Sequence, residues 1–251
     1  MSPALEIKDL SVAYHRKPVL TGISMRVMPG SMVGIIGPNG AGKSTFVKAV
    51  MGLLPVMNGS VKVFGESFAD NLHRVGYVPQ RESVDWDFPV DVLDVVLMGR
   101  YGKIGIGRRP SAGDREVAMA CLGKVQMTPF ASRQIGDLSG GQQQRVFLAR
   151  ALAQESDLYL MDEPFAGVDA ATEAAIVGIL NGLREAGKTI LVVHHDLASA
   201  GRYFDHLMLL NERLIGYGPT QGLLTRGMLQ MTYGGKLSLF PDSVKDDPSQ
   251  P

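Results

Sequence analysis

Three short stretches carry side chains whose types and spacing could do chemistry. The first, "GIIGPNGAGKST", sets Gly37, Gly42, Lys43 and Ser44 in the order G-x-x-x-x-G-K-[ST], directly after the apolar run "MVGII". Glycines at that spacing let backbone N–H groups converge on phosphate oxygens, and the start of a following helix favours negative charge. Lys43 is expected to reach the β- and γ-phosphates, and Ser44 to offer its hydroxyl to Mg²⁺. The competing reading is a glycine-rich turn that matches by accident. A strand before and a helix after favour nucleotide binding.

The second stretch, "LYLMDEP", ends an apolar run with Asp162 and Glu163. Ligands of open α/β sheets collect at the carboxyl ends of parallel strands, so these acids are expected to face the crevice that holds the phosphate loop. Asp162 would position Mg²⁺, through a water, and Glu163 could polarise an attacking water. Alone, "DEP" after a strand is more often a helix-start cap; paired with the phosphate loop, the catalytic reading is favoured. The third stretch, "ILVVHHDLAS", places His194, His195 and Asp196 side by side. Neighbours at a strand end point to opposite faces, so the two histidines are poorly placed to grip one ion. Asp196 is expected to cap the helix of "DLASAGRYF".

The elements that must position these groups are legible in outline. "LEIKDLSVAY", "GISMRV", "SMVGIIG" and "GSVKVFG" read as strands near the start, with a turn at Pro29–Gly30. From about Pro89 to Gln154 the pattern turns helical, and Ser111 three residues before Asp114 signals a helix start. "DLYLMDE" and "TILVVHH" read as buried parallel strands with the helix "AATEAAIVGILNGLREAG" between them, ending at Gly187. Strand, helix, strand makes a βαβ unit.

Bulk properties narrow the function classes. The 251 residues suffice for one large domain with a subdomain attached. Formal net charge is zero, with 25 basic and 25 acidic residues, so the basic excess of a phosphate-gripping nucleic-acid binder is missing and no nucleic-acid partner is expected. Cys121 is the single cysteine, which leaves no intrachain disulfide and no CxxC pair and fits a reducing setting. Neither a signal peptide nor a membrane span is expected from the apolar runs. The polar, proline-bearing "FPDSVKDDPSQP" reads as a disordered tail.

Between the first two chemical stretches stands "LSGGQQQRVFLARAL", about twenty residues before Asp162. It resembles the signature motif of ATP-binding cassette (ABC) ATPases. Its plainer reading is a helix start capped by Ser139. The order phosphate loop, "YVPQ", "LSGGQ", "LMDEP", "GVD", "HHD" is similar to that family over nearly the whole chain. The resemblance implies an α/β fold: a P-loop NTPase (RecA-like) core with an N-terminal antiparallel β-subdomain and an inserted helical subdomain near 85–155. It assigns 1–238 to the ATPase domain and 239–251 to the tail.

The resemblance also implies roles. Gly37, Pro38, Asn39, Gly40, Ala41, Gly42, Lys43, Ser44 and Thr45 would bind ATP. Tyr14 would stack on its adenine, unless it is a strand tyrosine with no such role. Glu163, His195 and Gln80 would be catalytic, with His195 sensing the γ-phosphate. Ser44, Gln80 and Asp162 would serve Mg²⁺. Ser139, Gly140, Gly141 and Gln142 would meet ATP bound to a second copy, and Asp169 would lie at the seam of that ATP-closed homodimer.

The run "DWDFP", with "VVLMGR" and "VHHDL", resembles the manganese, zinc and iron importer branch. That likeness implies ATP-driven import of a transition-metal cation, manganese first, with zinc and iron as the other candidates. Integral membrane permease subunits and an extracytoplasmic substrate-binding protein would be the partners. The chain would sit peripherally on the cytoplasmic face of a bacterial plasma membrane. An importer subunit for another substrate and a soluble, non-transport ABC ATPase are the rival readings. Trp86 and Phe88 read either as subdomain core or as an anchor for the permease.

Overall fold

A computed structural model describes residues 2–15, 17–86, 88–105 and 107–234. In chain order the first half holds β1 (Leu5–Tyr14), β2 (Lys17–Val27), β3 (Met32–Ile36), α1 (Lys43–Val50), β4 (Asn58–Val63), β5 (Val75–Val78), α2 (Val92–Met98), α3 (Tyr101–Ile104) and α4 (Ala112–Lys124). Then follow α5 (Gly140–Ala153), β6 (Leu158–Asp162), α6 (Ala170–Glu185), β7 (Thr189–Val193), α7 (Leu197–Tyr203), β8 (His206–Asn211), β9 (Arg213–Pro219), α8 (Thr220–Leu223) and α9 (Arg226–Tyr233). These form two units: the chain up to Leu72 joined with the segment from Thr189 onward, and His73–Lys188. The fold is α/β. Among the described residues, no helix is long and apolar enough to cross a membrane. The expected tail at 239–251 lies outside the described residues.

In the first unit, an antiparallel sheet runs β2-β1-β4. Leu5, Ile7, Leu10 and Val12 of β1 are buried, so the inward phase shifts by one residue between Ile7 and Leu10. A bulge absorbs that shift, with Asp9 in a left-handed conformation at φ +48°. A mixed sheet runs β7-β3-β8-β9, with β3 parallel to both β7 and β8 and β9 returning antiparallel. Every residue of "MVGII" and "TILVV" is buried, which is why those strands read as unbroken apolar runs.

In the second unit, β5 and β6 pair in parallel, Val78 opposite Met161. Helices α2, α4 and α5 pack against one another around Val92, Val96, Leu122, Val146 and Ala149. Ser111 caps α4 in a reciprocal box with Asp114, as the sequence predicts. Asp157, just before β6, accepts from Arg74 Nε and Lys188 Nζ, both at 2.8 Å. Both bonds hold its carboxyl below the usual range against the opposing effect of burial, which is the largest single influence on it. Helix α6 ends at Glu185, and Gly187 turns the chain at φ +78°.

Candidate functional site

Each unit gathers its own share of the expected groups. In the first, β3 runs straight into the loop Gly37–Gly42, and α1 starts at Lys43. Two glycines of this loop have no substitute. A Cβ on Gly37 would lie 2.0 Å from the Leu210 carbonyl oxygen, a backbone atom that cannot step aside. Gly42 caps α1 at φ +91°, and a Cβ there would meet Leu20 Cδ2 at 2.5 Å. Lys43 is buried, and its Nζ donates to the carbonyls of Gly37 at 2.8 Å and Pro38 at 3.0 Å. The ammonium is thus held against the backbone of its own loop. The first turn of α1 has no acidic residue to oppose an anion.

Tyr14 ends β1 opposite Lys17 and is 41% exposed. Three residues further along β2, Leu20 is the side chain that abuts Gly42, so Tyr14 and the loop share one end of this unit. On the other side of β3, Ile35 lies opposite Val193 of β7, and the His194 N–H donates to the Ile35 carbonyl at 3.0 Å. Gly37 and His195 therefore leave neighbouring parallel strands at the same end.

The two histidines diverge as their positions predict. His194 is buried, its Nε2 2.8 Å from Ser199 Oγ, whereas His195 is exposed. Burial, helped by the neighbouring His195, pushes the His194 imidazole down to about 4. Asp196 caps α7 through the N–H groups of Ala198 and Ser199 and also accepts from Ser199 Oγ at 2.6 Å. Among the described residues, no group of three His, Cys, Asp or Glu side chains is disposed to hold a metal ion.

In the second unit, Asp162 closes β6 and is 1% exposed. Tyr77 of β5 feels its charge: burial first, then Asp162, push the phenol up to about 12. Glu163 follows at φ +54°, a left-handed conformation that a residue with a Cβ adopts at a cost. Gln80 Nε2 donates to Glu163 Oε2 across 3.5 Å. The family resemblance implies that Gln80 and Glu163 serve one site, and their side chains meet.

Ser139 caps α5 in a reciprocal box with Gln142, so the signature stretch is also a well-formed helix start. Gly140 and Gly141 fill its first turn, and Gly141 lies against Val168, its Cβ position 3.6 Å from Cγ1. Asp169 follows Val168 and caps α6 through the Thr172 N–H at 2.8 Å. That bond is the main reason its carboxyl sits below the usual range, with Arg145 adding a smaller share. Signature stretch and "GVD" loop are therefore neighbours.

Sequence reasoning missed three groups. Arg81 and Gln143 bond at 3.1 Å beside the expected residues, and Ser199 braces His194. The only signal for Arg81 was its place next to Gln80, five residues before a tryptophan. The "DWDFP" run splits: Trp86 is half-buried with its ring edge on Phe147 at 5.0 Å, while Phe88 is 59% exposed. Asp87 lies outside the described residues.

Comparison with known proteins adds to this geometry. A model of the ABC transporter family matches residues 20–166. The manganese transport system ATP-binding protein MntB of Bacillus subtilis (strain 168) is 58% identical over 240 residues, covering 96% of each chain. The zinc transport system ATP-binding protein TroB of Treponema pallidum (strain Nichols) is 54% identical over 246 residues, 97% of this chain and 92% of that protein. Among solved structures, a nucleotide-free ATP-binding cassette from an ABC transporter superposes with a TM-score of 0.77 at 25% identity, covering 92% of this chain and 95% of the other.

Proposed function

The chain belongs to the ABC transporter family, and from that footing we propose that it is the ATP-hydrolysing subunit that drives import of a transition-metal cation. Manganese is the first candidate cargo, because the relative at 58% identity is named for manganese transport; zinc, from the relative at 54%, is the second. The observation that carries the hydrolytic part is the Gln80–Glu163 pair at the end of β6, with Glu163 held in a left-handed conformation. Strain of that kind persists where surrounding structure needs a side chain in one place.

In this reading Gly37–Thr45 bind the triphosphate of ATP and Tyr14 stacks on its adenine. Lys43 exchanges its two carbonyl bonds for phosphate oxygens. Ser44, Gln80 and Asp162 would hold Mg²⁺: a hydroxyl, an amide oxygen and a buried carboxylate are the all-oxygen donors that this hard ion takes. When bound, Mg²⁺ neutralises charge on the phosphoryl group in transfer. Glu163 orients the attacking water and accepts its proton, Gln80 fixes the Glu163 carboxylate, and His195 meets the γ-phosphate.

Ser139, Gly140, Gly141 and Gln142 reach ATP on a second copy, and Asp169 lies at the seam, so two chains close head to tail on two ATP. Helices α2–α5 form the subdomain inserted near 85–155 of an ATPase domain spanning 1–238. Permease subunits bind the chain at the cytoplasmic face of the membrane, with Phe88 as an exposed anchor, and an extracytoplasmic binding protein delivers the cargo. The test is steady-state hydrolysis by the purified chain. Glu163→Gln should lower turnover by roughly 10²- to 10⁴-fold, the scale for losing a general base, while ATP still binds. Near-normal turnover in that variant refutes the assignment.

A further inference from the structure

Arg81, the residue after Gln80, lies against the signature helix. Its Nε donates to Gln143 Oε1 at 3.1 Å, and Gln143 is 3% exposed, with its Nε2 donating to the Ile135 carbonyl at 3.2 Å. The guanidinium lies flat on the first turn of α5: a Cβ on Gly140 would sit 3.0 Å from both Arg81 Cζ and Nε. Any side chain at 140 would push the arginine away, so the glycine and the arginine fit as a pair.

Trp86 completes the clamp. Its Nε1 donates to the Arg81 carbonyl at 2.9 Å, its ring lies 6.0 Å from the guanidinium carbon, and its edge packs on Phe147, two turns along α5. The segment from Gln80 to Trp86 is thus strapped to α5 at three points. At one end of this strap Gln80 meets Glu163, and the next residue, Arg81, covers Gly140 in the first turn of α5.

We propose that Arg81 is a positioning residue for ATP hydrolysis, holding the first turn of α5 in register with the Gln80–Glu163 pair. This rests on the proposed function, in which that turn meets the ATP of a second copy. Arg81 then makes closure on that ATP and alignment of the water-activating pair one event. Loss of the guanidinium leaves Gln143 Oε1 buried without this donor and loosens the Gln80 end of the strap, with Trp86 on Phe147 as its remaining hold on α5. Binding of nucleotide to Gly37–Thr45 of a single chain does not depend on it.

The test uses the full chain with Arg81→Ala, Arg81→Lys, Gln143→Ala and the double Arg81→Ala/Gln143→Ala. Turnover is measured, with nucleotide binding by a fluorescent ATP analogue and ATP-driven dimerisation by sedimentation in a Glu163→Gln background. Arg81→Ala and Gln143→Ala should each lower turnover and weaken dimerisation on the order of ten-fold, the scale for stranding a buried partner of a charged hydrogen bond. Single-chain nucleotide affinity should stay within about twofold, and the double variant should be no worse than the worse single one. Arg81→Lys keeps the charge but not the planar fork, and should recover only part of the loss.

Arg81→Ala within about twofold of the wild type in turnover and dimerisation, or additive single effects, overturns the proposal. So does an equal loss of single-chain nucleotide affinity, which marks a general structural defect. Should Arg81→Ala fail to fold by circular dichroism, Arg81→Lys and Gln143→Ala decide on the same criteria. A wild-type chain that neither hydrolyses ATP nor dimerises on it removes the underlying function as well, and so separates the two failures.

Discussion

Replacing Glu163→Asn should make the chain more stable and nearly inactive. Glu163 stands at φ +54°, and a left-handed conformation costs a residue with a Cβ about 1–2 kcal/mol, part of which asparagine relieves by local hydrogen bonding. Against this stands the Gln80–Glu163 bond, long at 3.5 Å, whose loss removes about 0.5 kcal/mol. A net gain of about 0.5–1 kcal/mol is left, and at this chain size 1 kcal/mol moves Tm by about 2–4 °C. Glu163→Gln is the control, because glutamine keeps the left-handed penalty while losing the charge. Thermal and urea unfolding without nucleotide should place Glu163→Asn above the wild type and Glu163→Gln at or below it. Turnover should fall by roughly 10²- to 10⁴-fold in both. Equal unfolding of the two variants, or a less stable Glu163→Asn, would show that the backbone at 163 stores no strain.

Two further outcomes follow from the first unit. Gly37→Ala places a Cβ 2.0 Å from the Leu210 carbonyl oxygen, so the phosphate loop must shift at a cost of about 1–3 kcal/mol, the usual scale for overpacking. ATP affinity, read by isothermal titration, should drop at least on the order of ten-fold, since each 1.4 kcal/mol is one decade; wild-type affinity would contradict the close approach. His194 gives a pH dependence whose sign is fixed: its imidazole is pushed down to about 4 from 6.5, so between those values the unfolded chain binds a proton that the folded chain does not. Stability should therefore fall as pH drops from 6.5 toward 4, by up to about 3 kcal/mol at 1.36 kcal/mol per pH unit. Urea titrations at several pH values should show that slope, and His194→Asn should flatten it; an unchanged slope in the variant assigns it to other groups.

The chemistry of this chain was more legible than its architecture. Phosphate loop, carboxylate pair and signature stretch announce themselves because each needs particular residue types at fixed spacing. The structure sets the phosphate loop between a strand and a helix and starts α5 with Ser139 as its cap, as expected. "LYLMD" and "TILVV" are readable as buried parallel strands for the simple reason that both faces are covered. The hairpin of β8 and β9 is not legible in the sequence, because "HLMLLNERLIGYGP" has no turn dipeptide; Glu212 makes the reversal at φ +57°. Arg81 was equally silent. Its partner Gln143 lies 62 positions away, and no local pattern encodes a contact of that span. Trp86 shows the limit of a two-way choice, since its ring packs on Phe147 while Phe88, two residues on, is exposed.

What links ATP turnover by this chain to its cargo is the metal content of cells that depend on it. Total manganese, zinc and iron are to be compared in a strain living on the wild-type chain and in one living on Glu163→Gln, with loss of ATPase activity verified on the purified variant. The account predicts a selective fall in manganese, with zinc the second candidate. Unchanged levels of all three metals, with hydrolysis abolished, would contradict metal import.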